Sequence, residues 1–292
     1  MRIGTRGSAL ALAQAESVGR LVGGAVEIVT IATSVDRGQY LNDKSRWVSE
    51  LERALLEERI DVAVHSAKDV PTDPVSGLEL VAIPERADPR DVICGASGLD
   101  ALAPGARIGT SSLRRAAQIR ASRADLEVVQ LRGNVDTRLR KLDEGQVDAI
   151  VLALAGLQRL GRESEAGGVL DELIPAAGQG ALAIQGRPGA LDRATRARLN
   201  DEPSAACVGA ERALVHALGA SCNTPVGAYA QVIADRRLDL RAWVGLPDGS
   251  AWLADRVQAS PSEAGDLCAE RMIAAGAAQL LSEAEATPEP AA

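Results

Sequence analysis

Ala106-Arg107-Ile108-Gly109-Thr110-Ser111-Ser112-Leu113-Arg114-Arg115 is a short apolar strand signal that passes through three hydroxyl residues straight into a helical pattern. The helical periodicity predicts a helix over 112–122 after a strand over 106–109. The same alternation runs outward in both directions. Downstream, strands are expected at 126–131 and 148–154 with a helix at 134–142 between them. Upstream, strands are expected at 2–6, 26–33, 61–65 and 78–84, and helices at 8–22 and 47–60. Strand–helix–strand series of this kind build mainly parallel sheets with helices on both faces. The fold class is therefore α/β, with two such units.

Residues 85–91, Glu85-Arg86-Ala87-Asp88-Pro89-Arg90-Asp91, form a charged, proline-containing break read as a hinge between the units. Gly178-Gln179-Gly180 introduces one more strand at 181–185 and a polar helix at 189–199, a piece too small to stand alone that returns to the first unit. From residue 201 the pattern changes to a helix at 204–218, strands at 226–234, 238–246 and 251–258, and a final helix at 262–281. Asp248-Gly249 supplies a hairpin signal between the last two strands. That end reads as a small α+β domain, with 283–292 polar and fraying. The expected domains are 1–86 plus 180–200, 87–179, and 201–292.

Composition excludes several classes. The 292 residues carry a net charge of -8, no Phe, three Trp and two Tyr, so neither a phosphate-attracting field nor a base-stacking surface is indicated. No partner nucleic acid or membrane is expected, and no stretch is apolar and long enough to span a bilayer. The apolar run near Met1 is interrupted by Gln14 and Glu16, unlike a signal peptide. Cys94, Cys207, Cys222 and Cys268 are widely spaced and only His65 and His216 accompany them, which argues for reduced cytoplasmic thiols and no metal site.

Between Arg107 and Lys141 nine basic residues face three acids, a local excess of cations on an acidic chain. Some of these cover solvated helix faces. Others sit at strand ends: Thr110, Ser112, Arg114 and Arg115 after one strand, Arg132-Gly133-Asn134 after the next with Arg138 one turn on, and Arg6-Gly7-Ser8 in the first unit. Ligands of open α/β sheets collect at the carboxyl ends of strands, where helix N-termini present free N–H groups. Several such ends bearing Arg point to a ligand with several negative charges. Asp69 also follows a strand, within His65-Ser66-Ala67-Lys68-Asp69-Val70-Pro71, and is the candidate proton donor or cation stabiliser, while His65 reads as a structural hydrogen bonder. Cys222 lies in a small-residue turn, Gly219-Ala220-Ser221-Cys222-Asn223-Thr224-Pro225, where a thiol is either a filler or a nucleophile.

Taken in order, Thr5-Arg6-Gly7-Ser8-Ala9, His65-Ser66-Ala67-Lys68-Asp69-Val70-Pro71, Asp88-Pro89-Arg90-Asp91, Gly109-Thr110-Ser111-Ser112-Leu113-Arg114-Arg115, Leu131-Arg132-Gly133-Asn134, Ala155-Gly156-Leu157-Gln158-Arg159-Leu160-Gly161, Pro175-Ala176-Ala177-Gly178-Gln179-Gly180, Glu211-Arg212-Ala213 and the Cys222 turn resemble the porphobilinogen deaminase (hydroxymethylbilane synthase) family. The resemblance implies two periplasmic-binding-protein-like lobes plus a small third domain. It implies a monomeric transferase of haem biosynthesis that joins four porphobilinogen molecules head to tail, with loss of ammonia, to give hydroxymethylbilane. It further implies a dipyrromethane cofactor held through a thioether to Cys222, with Lys68, Asp69, Thr110, Ser112, Arg114, Arg115, Arg132 and Gly133 around it. Substrate carboxylates would fall to Arg6, Ser8, Lys44, Arg132, Arg138, Arg159 and Gln179, and Asp69 would be the catalytic carboxylate holding the pyrrole N–H groups.

The chain departs from the family pattern in places. The mobile loop reads Asn42-Asp43-Lys44-Ser45-Arg46-Trp47 in place of Gly-Gly-Lys-Gly before an aromatic residue, which puts its mobility in question. Ala220-Ser221 stands where two glycines are usual, and Gln185-Gly186 replaces an acid-Cys pair, a change expected to be without consequence. The competing reading is a non-catalytic binding protein for a small polyanion, which a two-lobed architecture would also serve.

Overall fold

The computed structural model describes residues 1–32, 45–73, 75–220 and 224–286, with backbone alone for 45–47. In chain order its elements are β1 (Arg2–Thr5), α1 (Ala9–Val22), β2 (Glu27–Thr30), α2 (Ser45–Leu56), β3 (Val62–Ser66), β4 (Glu79–Ala82), β5 (Asp91–Cys94), β6 (Arg107–Thr110), α3 (Leu113–Ser122), β7 (Glu127–Gln130), α4 (Val135–Asp143), β8 (Ala149–Ala153), α5 (Leu154–Arg159), β9 (Gly168–Leu170), β10 (Leu182–Gly186), α6 (Arg193–Leu199), α7 (Glu202–Ala217), β11 (Val226–Val232), β12 (Leu238–Gly245), β13 (Trp252–Ala259), α8 (Ala264–Ala274) and α9 (Ala277–Ala286). The chain divides into two compact units, Met1–Ala87 with Gly178–Val208, and Asp88–Ala177 with Gly209–Ala292.

In the first unit the sheet order is β2-β1-β3-β10-β4. β1 pairs parallel with β2 and β3, whereas β10 runs antiparallel to β3 and β4. Alternation along the strands sends Ile3, Val62, Val64 and Ile184 against Val18 of α1 on one face, and Ala63 against Leu51 and Leu55 of α2 on the other. Each fully buried Leu, Ile or Val contributes about 1.5–3 kcal/mol of transfer free energy, which is what holds both helices down. α1 starts where it does because the Ser8 side chain accepts from the N–H of Ala11.

The second unit contains a sheet of the same design, ordered β7-β6-β8-β5-β9. β6 is parallel to β7 and β8, and β5 is antiparallel to β8 and β9. Ile93, Ile108 and Val151 pack with Ile119 of α3, while Val92, Ile150 and Leu152 pack with Leu139 of α4 and Leu157 of α5. In both sheets the antiparallel strand stands fourth, and each follows directly after a chain crossing between units, β5 after Ala87 and β10 after Ala177. The same unit also holds the antiparallel sheet β11-β12-β13, with α8 packed on β12 and β13 and α9 on β12. The α/β fold class, with two mixed, mainly parallel sheets and a smaller C-terminal α+β part, is as the sequence indicated.

Four elements were not anticipated. The expected hinge at 85–91 ends inside β5, because Asp91-Val92-Ile93-Cys94 is wholly buried with its carboxylate neutralised, so a charged residue here sits in a strand rather than a loop. α5 and β9 are short enough to lack a full period. The final helix is two, α8 and α9, broken at Ala275–Gly276 where Gly276 takes a φ of +103°. Residues 287–292 lie outside the described residues.

Candidate active site

Strand direction decides which residues share an edge. β1 and β3 are parallel, so Arg6 and Ser8, just after β1, lie at the same sheet edge as the 3-10 turn Ala67–Asp69 that follows β3. β10 enters from that edge, since Leu182 pairs with Ser66, and this brings Gln179 there as well. The Gln179 side chain is 1% exposed and accepts from Lys68 Nζ at 3.1 Å, while its carbonyl accepts from Arg86 Nε at 2.8 Å. Lys68 and Asp69 are thus set on a turn braced against the loop before β10. His65 is buried behind them, 3.1 Å from Gln185 Oε1, and Gln185 Nε2 donates to Glu52 Oε1 at 3.0 Å. Since Gln185 spends its amide N–H on Glu52, the His65 ring nitrogen donates to its oxygen. Burial pushes the His65 pKa down to about 4, so the ring is neutral near pH 7 and acts as a hydrogen bonder rather than a proton shuttle. Gln185, where the sequence reading expected no consequence, joins the helix α2 to the histidine.

The second unit repeats the arrangement. Thr110 ends β6, and its hydroxyl accepts from the Ser112 N–H at 3.1 Å. The Ser112 hydroxyl caps α3 by accepting from the Arg115 N–H. β5 enters at this edge, with Asp91 paired to Ala153 at the end of β8. Asp91 is fully buried and receives both arginines: Arg114 Nη2 at 2.7 Å on Oδ2, and Arg115 Nε at 3.0 Å and Nη2 at 2.7 Å on Oδ1. Arg115 Nη1 also donates to the Val151 carbonyl at 2.9 Å, and Arg114 Nη1 to the Ile174 carbonyl at 2.7 Å. Among the described residues Arg114 Nε is buried with no hydrogen-bond partner. There one carboxylate answers two buried guanidiniums, a surplus of positive charge at the start of a helix, where the helix dipole adds to it. Burial pushes the Arg114 pKa down.

Gly133 follows β7 with a φ of +127°, where a Cβ would run into Thr137, so the position suits only glycine. Its carbonyl accepts from Arg138 Nε at 2.9 Å, and Arg138 Nη2 donates to Ser111 Oγ at 2.7 Å. Burial and the neighbouring Arg115 hold the Arg138 pKa down at about 10, and burial holds Arg159, at the end of α5, at about 10. Both remain charged at neutral pH, and an anion placed beside them would offset the cost of that charge. Arg132 is exposed.

The predicted site residues therefore fall into two edge clusters. Arg6, Ser8, Lys68, Asp69 and Gln179 lie in the first unit, and Thr110, Ser112, Arg114, Arg115, Arg132, Gly133, Arg138 and Arg159 in the second. Lys44, with its loop from Asn42, and Cys222 lie outside the described residues. Asp91, which braces both arginines, was not among the expected residues. Asp91 was visible at the end of Asp88-Pro89-Arg90-Asp91, but nothing in the sequence says which arginines a carboxylate will meet.

The family model described as porphobilinogen deaminase, dipyromethane cofactor binding domain, matches residues 1–195, and the model for the C-terminal domain of the same family matches 205–274. The chain belongs to the porphobilinogen deaminase family. A porphobilinogen deaminase of Rubrobacter xylanophilus is 46% identical over 96% of this chain and 95% of its own length. One from Thermus thermophilus is 46% identical over 91% of each. Among solved structures, the methionine binding protein MetQ matches 68% of this chain and 87% of its own at 16% identity, with a TM-score of 0.43. Membership of an enzyme family decides against the non-catalytic binding protein.

The dipyrromethane cofactor of the deaminase family brings carboxylates, and the residues present suit it. The orphaned Arg114 N–H and the surplus of guanidinium over carboxylate are what such a ligand would satisfy. Among the described thiols, Cys94, Cys207 and Cys268 are buried, and burial pushes Cys94 up to about 11 and Cys268 up to about 12. A thiol so rarely ionised is a poor nucleophile. No described helix is long and apolar enough to cross a membrane, and no described group of His, Cys, Asp and Glu could hold a metal ion.

Proposed function

We propose that the two edge clusters carry the deaminase reaction in this chain, with Asp69 as its catalytic carboxylate and the Asp91-braced pair Arg114 and Arg115 as the seat of dipyrromethane carboxylates. The reaction joins porphobilinogen units four times. In each addition the bond from the aminomethyl carbon to nitrogen breaks and ammonia leaves, a carbon–carbon bond forms to the free ring carbon of the preceding pyrrole, and that ring carbon loses its proton. Water supplies the hydroxyl of the released hydroxymethylbilane. When bound through Cys222, dipyrromethane supplies the primer for these additions.

Each porphobilinogen carries an acetate and a propionate, and Arg6, Ser8, Lys44, Arg132, Arg138, Arg159 and Gln179 are assigned to them, with Lys68, Thr110, Ser112 and Gly133 beside the cofactor. Loss of ammonia leaves positive charge on the pyrrole. Asp69, on the turn after β3 next to Lys68, is assigned to accept the pyrrole N–H and stabilise that charge, a preorganised electrostatic contribution of the kind that is often the largest catalytic term. The observation that carries the reading is the guanidinium surplus at Asp91 with its orphaned Arg114 N–H. On the same footing we read three domains, 1–86 plus 180–200, 87–179 and 201–292, in a cytoplasmic monomer.

The test is ammonia release from porphobilinogen. The purified protein should release four ammonia per hydroxymethylbilane, and Asp69→Asn should lower kcat by at least about 10²-fold with unchanged thermal stability. A variant retaining half the wild-type kcat would remove Asp69 from the catalytic role.

A further inference from the structure

Gln118 belongs to no motif, yet its side chain is 5% exposed and bonded to both backbone groups of one residue, Ile174. Gln118 Oε1 accepts from the Ile174 N–H at 2.8 Å, and Gln118 Nε2 donates to the Ile174 carbonyl at 3.0 Å. That carbonyl also accepts from Arg114 Nη1 at 2.7 Å. The next residue continues the chain of contacts, because the Ala228 N–H of β11 donates to the Pro175 carbonyl at 2.8 Å. Gly227 lies flat against the same peptide: a Cβ there would stand 2.8 Å from the Ile174 carbonyl oxygen and 3.0 Å from its side chain. β11 begins at Val226, the fourth residue after Cys222.

The Ile174–Pro175 peptides therefore form a splint inside the second unit. One side is clamped by α3 through Gln118 and Arg114. The other side is the start of β11. We propose that Gln118 and Gly227 are positioning residues: by holding the Ile174 carbonyl from opposite sides they fix the Arg114 guanidinium that donates to it, and with it the Arg114–Arg115 pair that seats the cofactor carboxylates. This rests on the assignment of Cys222 as the anchor and of Arg114 and Arg115 as cofactor residues. A purely apolar packing role would not need two hydrogen bonds to a peptide in an irregular segment, nor a strand glycine pressed against it.

The experiment compares holoenzyme carrying Gln118→Met, which keeps length but removes both hydrogen bonds, with Gly227→Ala, which pushes on the same peptide from the opposite side. Steady-state kinetics with porphobilinogen are measured well below each variant's melting temperature, with intact mass recorded on the same samples. Small misplacements of a reacting group cost up to about 10²-fold in rate. Each variant should lose about tenfold in kcat with KM within twofold, while retaining the cofactor mass, and the double variant should lose no more than about as much as the worse single one. Wild-type kcat in both folded variants, or losses that simply multiply in the double variant, would overturn the proposal and leave a stability role. Wild-type protein whose mass lacks the cofactor, before and after porphobilinogen, would instead overturn the underlying assignment, so the two failures are distinct. If Gly227→Ala does not fold, Gln118→Met alone decides between these outcomes.

Discussion

Replacing Asp91 by Asn removes one negative charge from between two guanidiniums and changes little else. The carboxylate is fully buried, and the side chains of Arg114 and Arg115 are 5% and 6% exposed, so solvent does not screen the loss. Breaking a buried ion pair by removing one partner costs about 3–5 kcal/mol, because the remaining charge stays desolvated. Asn keeps one acceptor oxygen, but its amide N–H₂ turns toward one of the guanidiniums. For a chain of this size about 1 kcal/mol moves Tm by roughly 2–4 °C, which gives a fall of roughly 6–20 °C. The assay is thermal unfolding at neutral pH, followed by calorimetry. If, as proposed, cofactor carboxylates add negative charge at the same guanidiniums, Asp91→Asn should cost more in a Cys222→Ser background than in the wild type. A Tm within about 2 °C of wild type, or equal losses in both backgrounds, would refute the reasoning.

Two further outcomes are expected. The folded His65 pKa of about 4 lies below the ordinary 6.5, so between these values the unfolded chain binds a proton that the folded chain does not. Stability attributable to this group is therefore intact above pH 6.5 and falls as pH drops toward 4, by up to roughly 3 kcal/mol. His65→Gln should flatten that part of the profile in denaturant titrations at pH 7, 6 and 5, and an unchanged slope would contradict the assignment of a buried neutral ring. Gly133→Ala would place a Cβ 2.7 Å from Thr137 at a φ of +127°, a strain of about 1–3 kcal/mol. With Arg138 bonded to the Gly133 carbonyl, about 1 kcal/mol of that should appear as a roughly fivefold rise in KM for porphobilinogen with kcat nearly constant.

The sequence showed strand–helix alternation clearly where apolar runs gave way to helical periodicity, and in the structure Ser8, Ser112 and Asn134 cap the helices that follow. It misled where a buried charge sat in a strand. Asp91 looked like a loop residue because its neutralisation depends on α3, far along the chain and brought near only by the sheet order β6-β8-β5. The strand-end arginines were legible as a group, since helix starts and Arg clusters are local signals. Their individual tasks were not. Arg114 and Arg115 are braced by Asp91, whereas Arg138 is held by the Gly133 carbonyl and Ser111, with no carboxylate among its bond partners in the described residues. Gln118 and Gln185 carried no signal at all, because an amide that bridges two distant segments looks in sequence like any other polar helix or strand residue.

Intact mass of the purified protein, set beside its Cys222→Ser variant, tests the central claim most directly. The wild type should exceed its sequence mass by two porphobilinogen units less two ammonia, either as isolated or after incubation with porphobilinogen, and the Cys222→Ser protein should show its bare mass under both conditions. A bare wild-type mass that porphobilinogen does not increase, or the same increment persisting on Cys222→Ser, would contradict it.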